Sequence, residues 1–136
     1  MSPNVRRVLA VIAGLAVAFL VIVVIEMICT MVYPPPPGTD PHDPASLKSA
    51  MAAMPAGALA GVVLAWVLGT LVGSFTTAKI GATGGLFPGA TVGIVILAAA
   101  VMNMVALPHP VWVWVAALVL IPAASALGAR VGTRSA

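Results

Sequence analysis

One acid, Glu26, lies inside a long apolar stretch of a chain that holds only three Asp/Glu, six Lys/Arg and two His. Hydrocarbon strongly disfavours a carboxylate's charge, so an acid in such a setting must be neutral, paired or reached by water, and it is a functional-site candidate on that ground. By helical rise Glu26 stands about 28 Å beyond Arg7, in the outer part of the hydrocarbon or near its boundary. Asn103, His109 and the outer end of the second apolar stretch are the polar partners expected at that depth. Two chemistries stay open for this group of Glu26, Asn103 and His109. One is a proton- or cation-coupled transport site; the other is a hydrogen-bonded or protonated Glu that locks helices together or snorkels to the interface.

Soft ligands form a second constellation: Met27, Met31, Met51, Met54, Met102 and Met104 map to outer halves or ends of the apolar stretches, beside Cys29, His42 and His109. Thioethers with a thiol and imidazoles suit Cu(I). No C-x-x-C or paired-His spacing organises them, and Met is an ordinary gap filler in apolar packing. Cys29 is the single cysteine, which leaves no intramolecular disulfide or thiol couple. No metal and no cofactor is expected. Phosphate-loop, H-E-x-x-H and G-x-S-x-G patterns do not occur, and the glycine-rich run from Gly81 to Gly89 lacks the preceding strand of a nucleotide fold. No catalytic dyad can be assembled, so an enzyme is not expected.

The elements that would position Glu26 follow from composition. The 136 residues are 62% hydrophobic and 7% charged, with mean hydropathy +1.18. A soluble domain needs roughly a quarter of its residues charged, which excludes a soluble enzyme or a soluble nucleic-acid binder. Four apolar stretches, 8–32, 50–78, 86–107 and 111–129, are each long enough to cross a bilayer, since a hydrocarbon core of about 30 Å takes about 20 helical residues. Unpaired backbone groups are costly in lipid and these stretches lack barrel-strand alternation, so the expected fold class is all-α: a single membrane domain, 1–136, folded as an antiparallel four-helix bundle.

Arg6, Arg7, Lys79, Arg130 and Arg134 fall on one side of these spans and Lys48 alone on the other. The cation bias places both termini in the cytoplasm. The first apolar run is longer than a signal h-region and has no convincing cleavage site, so an uncleaved anchor is expected. Tyr33, Trp112 and Trp114 suit an outer aromatic belt. The outer loop, 33–49, contains Tyr33, four consecutive prolines (Pro34, Pro35, Pro36, Pro37), Gly38, Asp40 and Asp43. Such a run favours a stiff polyproline rod followed by turns, with Asp43 or Ser46 capping the second helix. It is either a rigid spacer or a docking surface.

Along the second span small residues recur at every fourth position: Ser49, Ala53, Gly57, Gly61, Ala65, Gly69, Gly73 and Thr77. The spacing continues through Gly81, Gly85, Gly89 and Gly93, with shorter versions at Ala10, Gly14, Ala18 and at Ala124, Gly128, Gly132. Small residues at this spacing let backbones approach closely, which matters in lipid because packing drives association there. The ridge serves packing within the chain, self-association, or both.

Glu26, the run Tyr33-Pro-Pro-Pro-Pro-Gly38, Asp40, Asp43 and the segment Ala65-Trp66-Val67-Leu68-Gly69 together resemble a family of small four-helix bacterial inner-membrane proteins with a YPPPPG outer-loop motif. The likeness spans most of the chain and implies a bacterial plasma-membrane location without implying an activity. The small multidrug-resistance transporters also have four helices and a first-helix carboxylate, but theirs is mid-membrane, whereas Glu26 lies far along its span. The reading that follows is a non-enzymatic integral membrane protein, an accessory or structural subunit or a small homo-oligomer, with the bilayer and a larger membrane complex as its partners and no nucleic acid. A small transporter using Glu26 is the alternative.

Overall fold

The computed structural model describes residues 1–81 and 86–135, which are helical apart from turns and loops. Five helices follow in order: α1 (Pro3–Val32), α2 (Pro44–Ala52), α3 (Ala56–Gly81), α4 (Phe87–Ala106) and α5 (Val111–Arg134). All but α2 are long and apolar enough to cross a bilayer, as a multi-pass membrane protein requires. The first span starts at Pro3, ahead of the apolar run, because Ser2 caps it by accepting from the Val5 amide at 3.3 Å and Pro3 fits the first helical turn. At 30 residues α1 is about 45 Å long, so it must tilt in or overhang a 30 Å core. The last span runs on to Arg134 rather than ending at 129.

The expected span 50–78 is corrected: the chain breaks between α2 and α3. Pro55 has no amide proton and biases Met54 away from helical geometry, so α2 ends at Ala52 and α3 begins at Ala56. The Pro55 carbonyl accepts from the Ala58 amide at 3.0 Å, serving the first turn of α3. Ser49 and Ala53 therefore do not extend the ridge of α3. Residues 44–49 of the expected loop are helical, and Asp43 caps α2 rather than a membrane span. Gly85 lies outside the described residues.

Helix α3 is the hub. It packs on α1, α4 and α5, whereas α1 and α5 do not touch each other among the described residues. On the α1 seam, Gly73 lies against Gly14, Gly69 against Ala18 and Ile22, Gly61 against Cys29, and Gly57 against Tyr33. On the α5 seam, Gly128 lies against Leu71 and Phe75, and Gly132 against Phe75 and Ala78. The hub thus meets α1 with opposite chain sense and α5 with the same sense. A Cβ at Gly73 would stand 2.7 Å from the Gly14 carbonyl oxygen, so the backbones are in near contact there. The core between the helices is made of small and branched side chains, among them Ala18, Val63, Ala65, Val92, Ile96, Val113, Ala117 and Ile121, closed by Trp66. Half of the most apolar window of α3 is buried against 22% for α1, which makes α1 the peripheral helix. Its bared face carries Val8, Ile12, Phe19, Leu20 and Val23, apolar throughout as lipid contact demands.

Candidate functional site

Glu26 stands on the C-terminal third of α1, half-buried, at the rim of the α1–α3 seam. On one side a hollow of about 150 Å³ is lined by Cys29, Thr30, Tyr33, Met54 and Ala58 together with Glu26. On the other, a more open recess of about 390 Å³ is formed by Val23, Met27, Thr30 and Met31. The Thr30 hydroxyl donates to the Glu26 backbone carbonyl at 2.9 Å, so it is held by its own helix and not by the carboxylate. Among the described residues no side chain hydrogen-bonds the Glu26 carboxylate. What its surroundings offer is soft and apolar: sulfur, methyl groups and the Tyr33 ring.

Asn103 and His109 are placed apart from this hollow. The Asn103 side chain is exposed on α4 and lines neither recess beside Glu26. His109, in the short link between α4 and α5, packs against the Trp66 ring with centroids 6.4 Å apart, and its Nδ1 meets the Leu107 carbonyl at 2.8 Å. Its Nε2 is buried without a hydrogen-bond partner. Counting along the spans predicts one shared level for these three polar groups, but Asn103 is exposed on α4 and His109 packs against Trp66. The methionines likewise diverge: Met104 is in the core while Met102 is 72% exposed, and Met51 and Met54 are partly buried against the core.

The loop between α1 and α2 is built by its own polar groups. After Pro34 and Pro35 the chain turns at Pro37-Gly38, with the Thr39 amide donating to the Pro36 carbonyl at 3.2 Å and Gly38 at φ 83, a conformation that favours glycine. The proline rod is therefore shorter than four residues suggest. The Asp40 amide donates to Ser46 Oγ at 2.8 Å, the Asp40 carboxylate accepts from the His42 amide at 2.8 Å, and the Asp43 carboxylate accepts from the Ala45 and Ser46 amides at 3.1 and 3.2 Å. Both aspartates are thus engaged in folding the loop onto α2, and a small hollow between Pro36, Thr39, Ser49 and Ala50 marks where the two meet.

The ridge positions Gly57, Gly61, Ala65, Gly69 and Gly73 face helices or the loop of the same chain: Ala65 is fully buried and the glycines meet α1 and Tyr33. Two functional features were not anticipated from sequence. Ser74 donates to the Gly89 carbonyl at 3.0 Å and sits 3.2 Å from Ser125 Oγ, which also reaches the Gly89 carbonyl at 3.2 Å, so one buried cluster ties α3, α4 and α5 together. Thr77 similarly donates to the Ala10 carbonyl of α1 at 3.2 Å. The signal was present, since each hydroxyl sits within a small-residue stretch where a neighbouring backbone comes within reach. At the same end, Arg6 Nε donates to the Ile80 carbonyl at 2.9 Å, satisfying the C-terminus of α3. Lys79 Nζ lies 5.4 Å from the Phe75 ring centroid.

No protein-family model matches the chain, and neither the curated proteins nor the solved structures include one significantly similar to it. Its chemistry rests on its own geometry.

Proposed function

We propose that the protein is a four-span inner-membrane protein with antiparallel topology and both termini in the cytoplasm, acting without catalysis as an accessory or structural subunit or a small homo-oligomer. One observation carries this reading: the buried hydroxyls of Ser74, Ser125 and Thr77 are spent on the Gly89 and Ala10 carbonyls and on one another, within helices packed backbone to backbone. Such an interior is a scaffold, and what it holds out is the self-braced loop and α2. The peripheral α1, with its bared apolar face, is where a second copy or a larger complex would seat. The cation bias and the resemblance to small bacterial inner-membrane proteins support the location and topology. Purification in mild detergent followed by native mass measurement tests the role: a dimer, higher oligomer or defined co-purifying partner is expected, and a strict monomer alone would overturn it. Cysteine labelling from outside at Ser2→Cys and Ala45→Cys, in a Cys29→Ser background, tests the topology. Label reaching position 2 refutes it.

A second reading is favoured by the half-buried Glu26 carboxylate, which no side chain of the chain binds among the described residues. On that reading Glu26 couples a proton or cation to transport from the outer side. Glu26→Gln separates the two: loss of solute movement or of growth under toxic cations with normal expression supports coupling, and unchanged phenotypes exclude it.

A further inference from the structure

Glu26, Cys29 and Thr30 share one face of α1 and, with Tyr33 at its C-cap, wall one side of the hollow of about 150 Å³ at the loop end of the bundle. The other wall comes from a distant part of the chain. Pro55 breaks the helix between α2 and α3, and Met54, the residue before the break, closes the hollow together with Ala58 and Val62 of α3. A carboxylate, a thiol and a thioether thus border one small space. Gly61 has no side chain, and Cys29 Sγ lies on the seam where one would stand. The thiol is free and only part-buried. The neighbouring recess shares Glu26 and Thr30 with this hollow and adds Met27 and Met31, four residues apart on one helix face. Met31 is 78% exposed and Met27 57%, so sulfur flanks Glu26 from the surface of the bundle to the hollow.

These donors set the class of ligand. No three of His, Cys, Asp and Glu come together among the described residues, which leaves Zn(II) and the harder divalent ions short of ligands. Thiolate and thioether sulfur select Cu(I) instead. We propose that the hollow binds one Cu(I) ion between Cys29 Sγ and Met54 Sδ, with the Glu26 carboxylate beside it as the attracting charge and Met27 and Met31 as the surface sulfurs that pass the ion inward. On binding, the Cys29 S–H bond breaks, a Cu–S bond forms and the proton leaves to solvent, so one positive charge replaces another. That exchange adds no charge to a site bordered by hydrocarbon, where added charge is strongly disfavoured. The proposal rests on the second reading above insofar as Glu26 serves a cation, and it names that cation; coupling to transport is not required.

The test uses the full chain in mild detergent, without oxygen, titrated with Cu(I) against the coloured chelator bicinchoninate. The wild type is expected to take one Cu(I) from the chelator, and excess Zn(II) should not displace it. Loss of a supporting group costs a metal site about 10–100-fold in affinity, so Glu26→Gln should weaken binding about tenfold, and loss of a sulfur ligand in Cys29→Ser or Met54→Leu about 100-fold. Leu and Met exchange at similar volume, and circular dichroism confirms that Met54→Leu keeps the wild-type helix content. Met102→Leu, on α4 and outside both recesses, should bind as the wild type does. A wild type that takes no Cu(I) overturns the site. So does a Met54→Leu variant that binds undiminished, because an isolated thiol would then account for the metal, or a Met102→Leu variant weakened as much as Met54→Leu. The second reading fails separately. Cu(I) bound as expected, with growth under toxic copper unaltered by Glu26→Gln, ends coupling and leaves the site standing; a growth defect of Glu26→Gln in a protein that binds no Cu(I) overturns the site and leaves coupling to another cation.

Discussion

Gly73→Ala is the most direct perturbation of the α1–α3 seam. The added methyl would stand 2.7 Å from Ala18 Cβ, 2.7 Å from the Gly14 carbonyl oxygen and 3.1 Å from Val92 Cγ1. Carbon atoms pack at about 3.5–4.0 Å, so two of these contacts fall short by about 1 Å, and the nearest obstacles are a methyl on the backbone and a main-chain carbonyl. Neither can swing away; the helices must part. Overpacking of this kind costs about 1–3 kcal/mol, against a helix-propensity gain of about 1 kcal/mol for Gly to Ala. Separation also weakens the Thr77 bond to Ala10 one turn away, which contributes about 1 kcal/mol. The net expectation is a loss of about 1–3 kcal/mol. Gly57→Ala is the internal control, because there the obstacle is the end of the Tyr33 ring, a side chain able to rotate outward. Its cost should stay below about 1 kcal/mol, with propensity offsetting the displacement. Equilibrium unfolding of both variants in mixed micelles measures the difference. If Gly73→Ala is as stable as the wild type, or if Gly57→Ala is the more damaging, the assignment of the ridge to close packing on α1 is refuted.

Three further outcomes are expected. Ser74→Ala and Ser125→Ala should each cost little alone, because the other hydroxyl still serves the Gly89 carbonyl; together they should cost about 1–2 kcal/mol more than the sum, read from a double-mutant cycle by the same unfolding assay. Additive single effects would dismiss the cluster. Asp43→Ala removes the cap of α2 at a cost of about 1 kcal/mol, so amide exchange in residues 45–49 should quicken about fivefold while α3 and α5 stay protected. Arg6→Gln should loosen the last turn of α3, seen as faster exchange near Ile80, without altering the Glu26 hollow at the other end.

How much was legible beforehand differs element by element. The long spans were, because lipid demands about 20 apolar helical residues whatever their neighbours; a cap at Asp43 or Ser46 was legible too, but not that Asp43 takes it or that the capped helix is the short α2. The break at Pro55 was not legible from hydropathy. Apolarity continues through 50–54, so hydropathy hides a discontinuity that backbone sterics impose. For the candidate site, position along a helix was readable but rotation was not: Asn103 is exposed on α4 while Met104 beside it is in the core, because a few tens of degrees decide which side chain meets the bundle.

By itself the sequence determined that this chain is a set of apolar helices with a cationic end and a proline-rich loop, since composition and local sterics act residue by residue. It took the folded bundle to show that α3 is the hub, that its glycines are consumed by α1 within one chain, and that Ser74 meets Ser125 across 51 positions. A four-residue stripe specifies a helix face. Which neighbour that face meets depends on how every other face is satisfied at once, a collective packing condition that no single segment encodes.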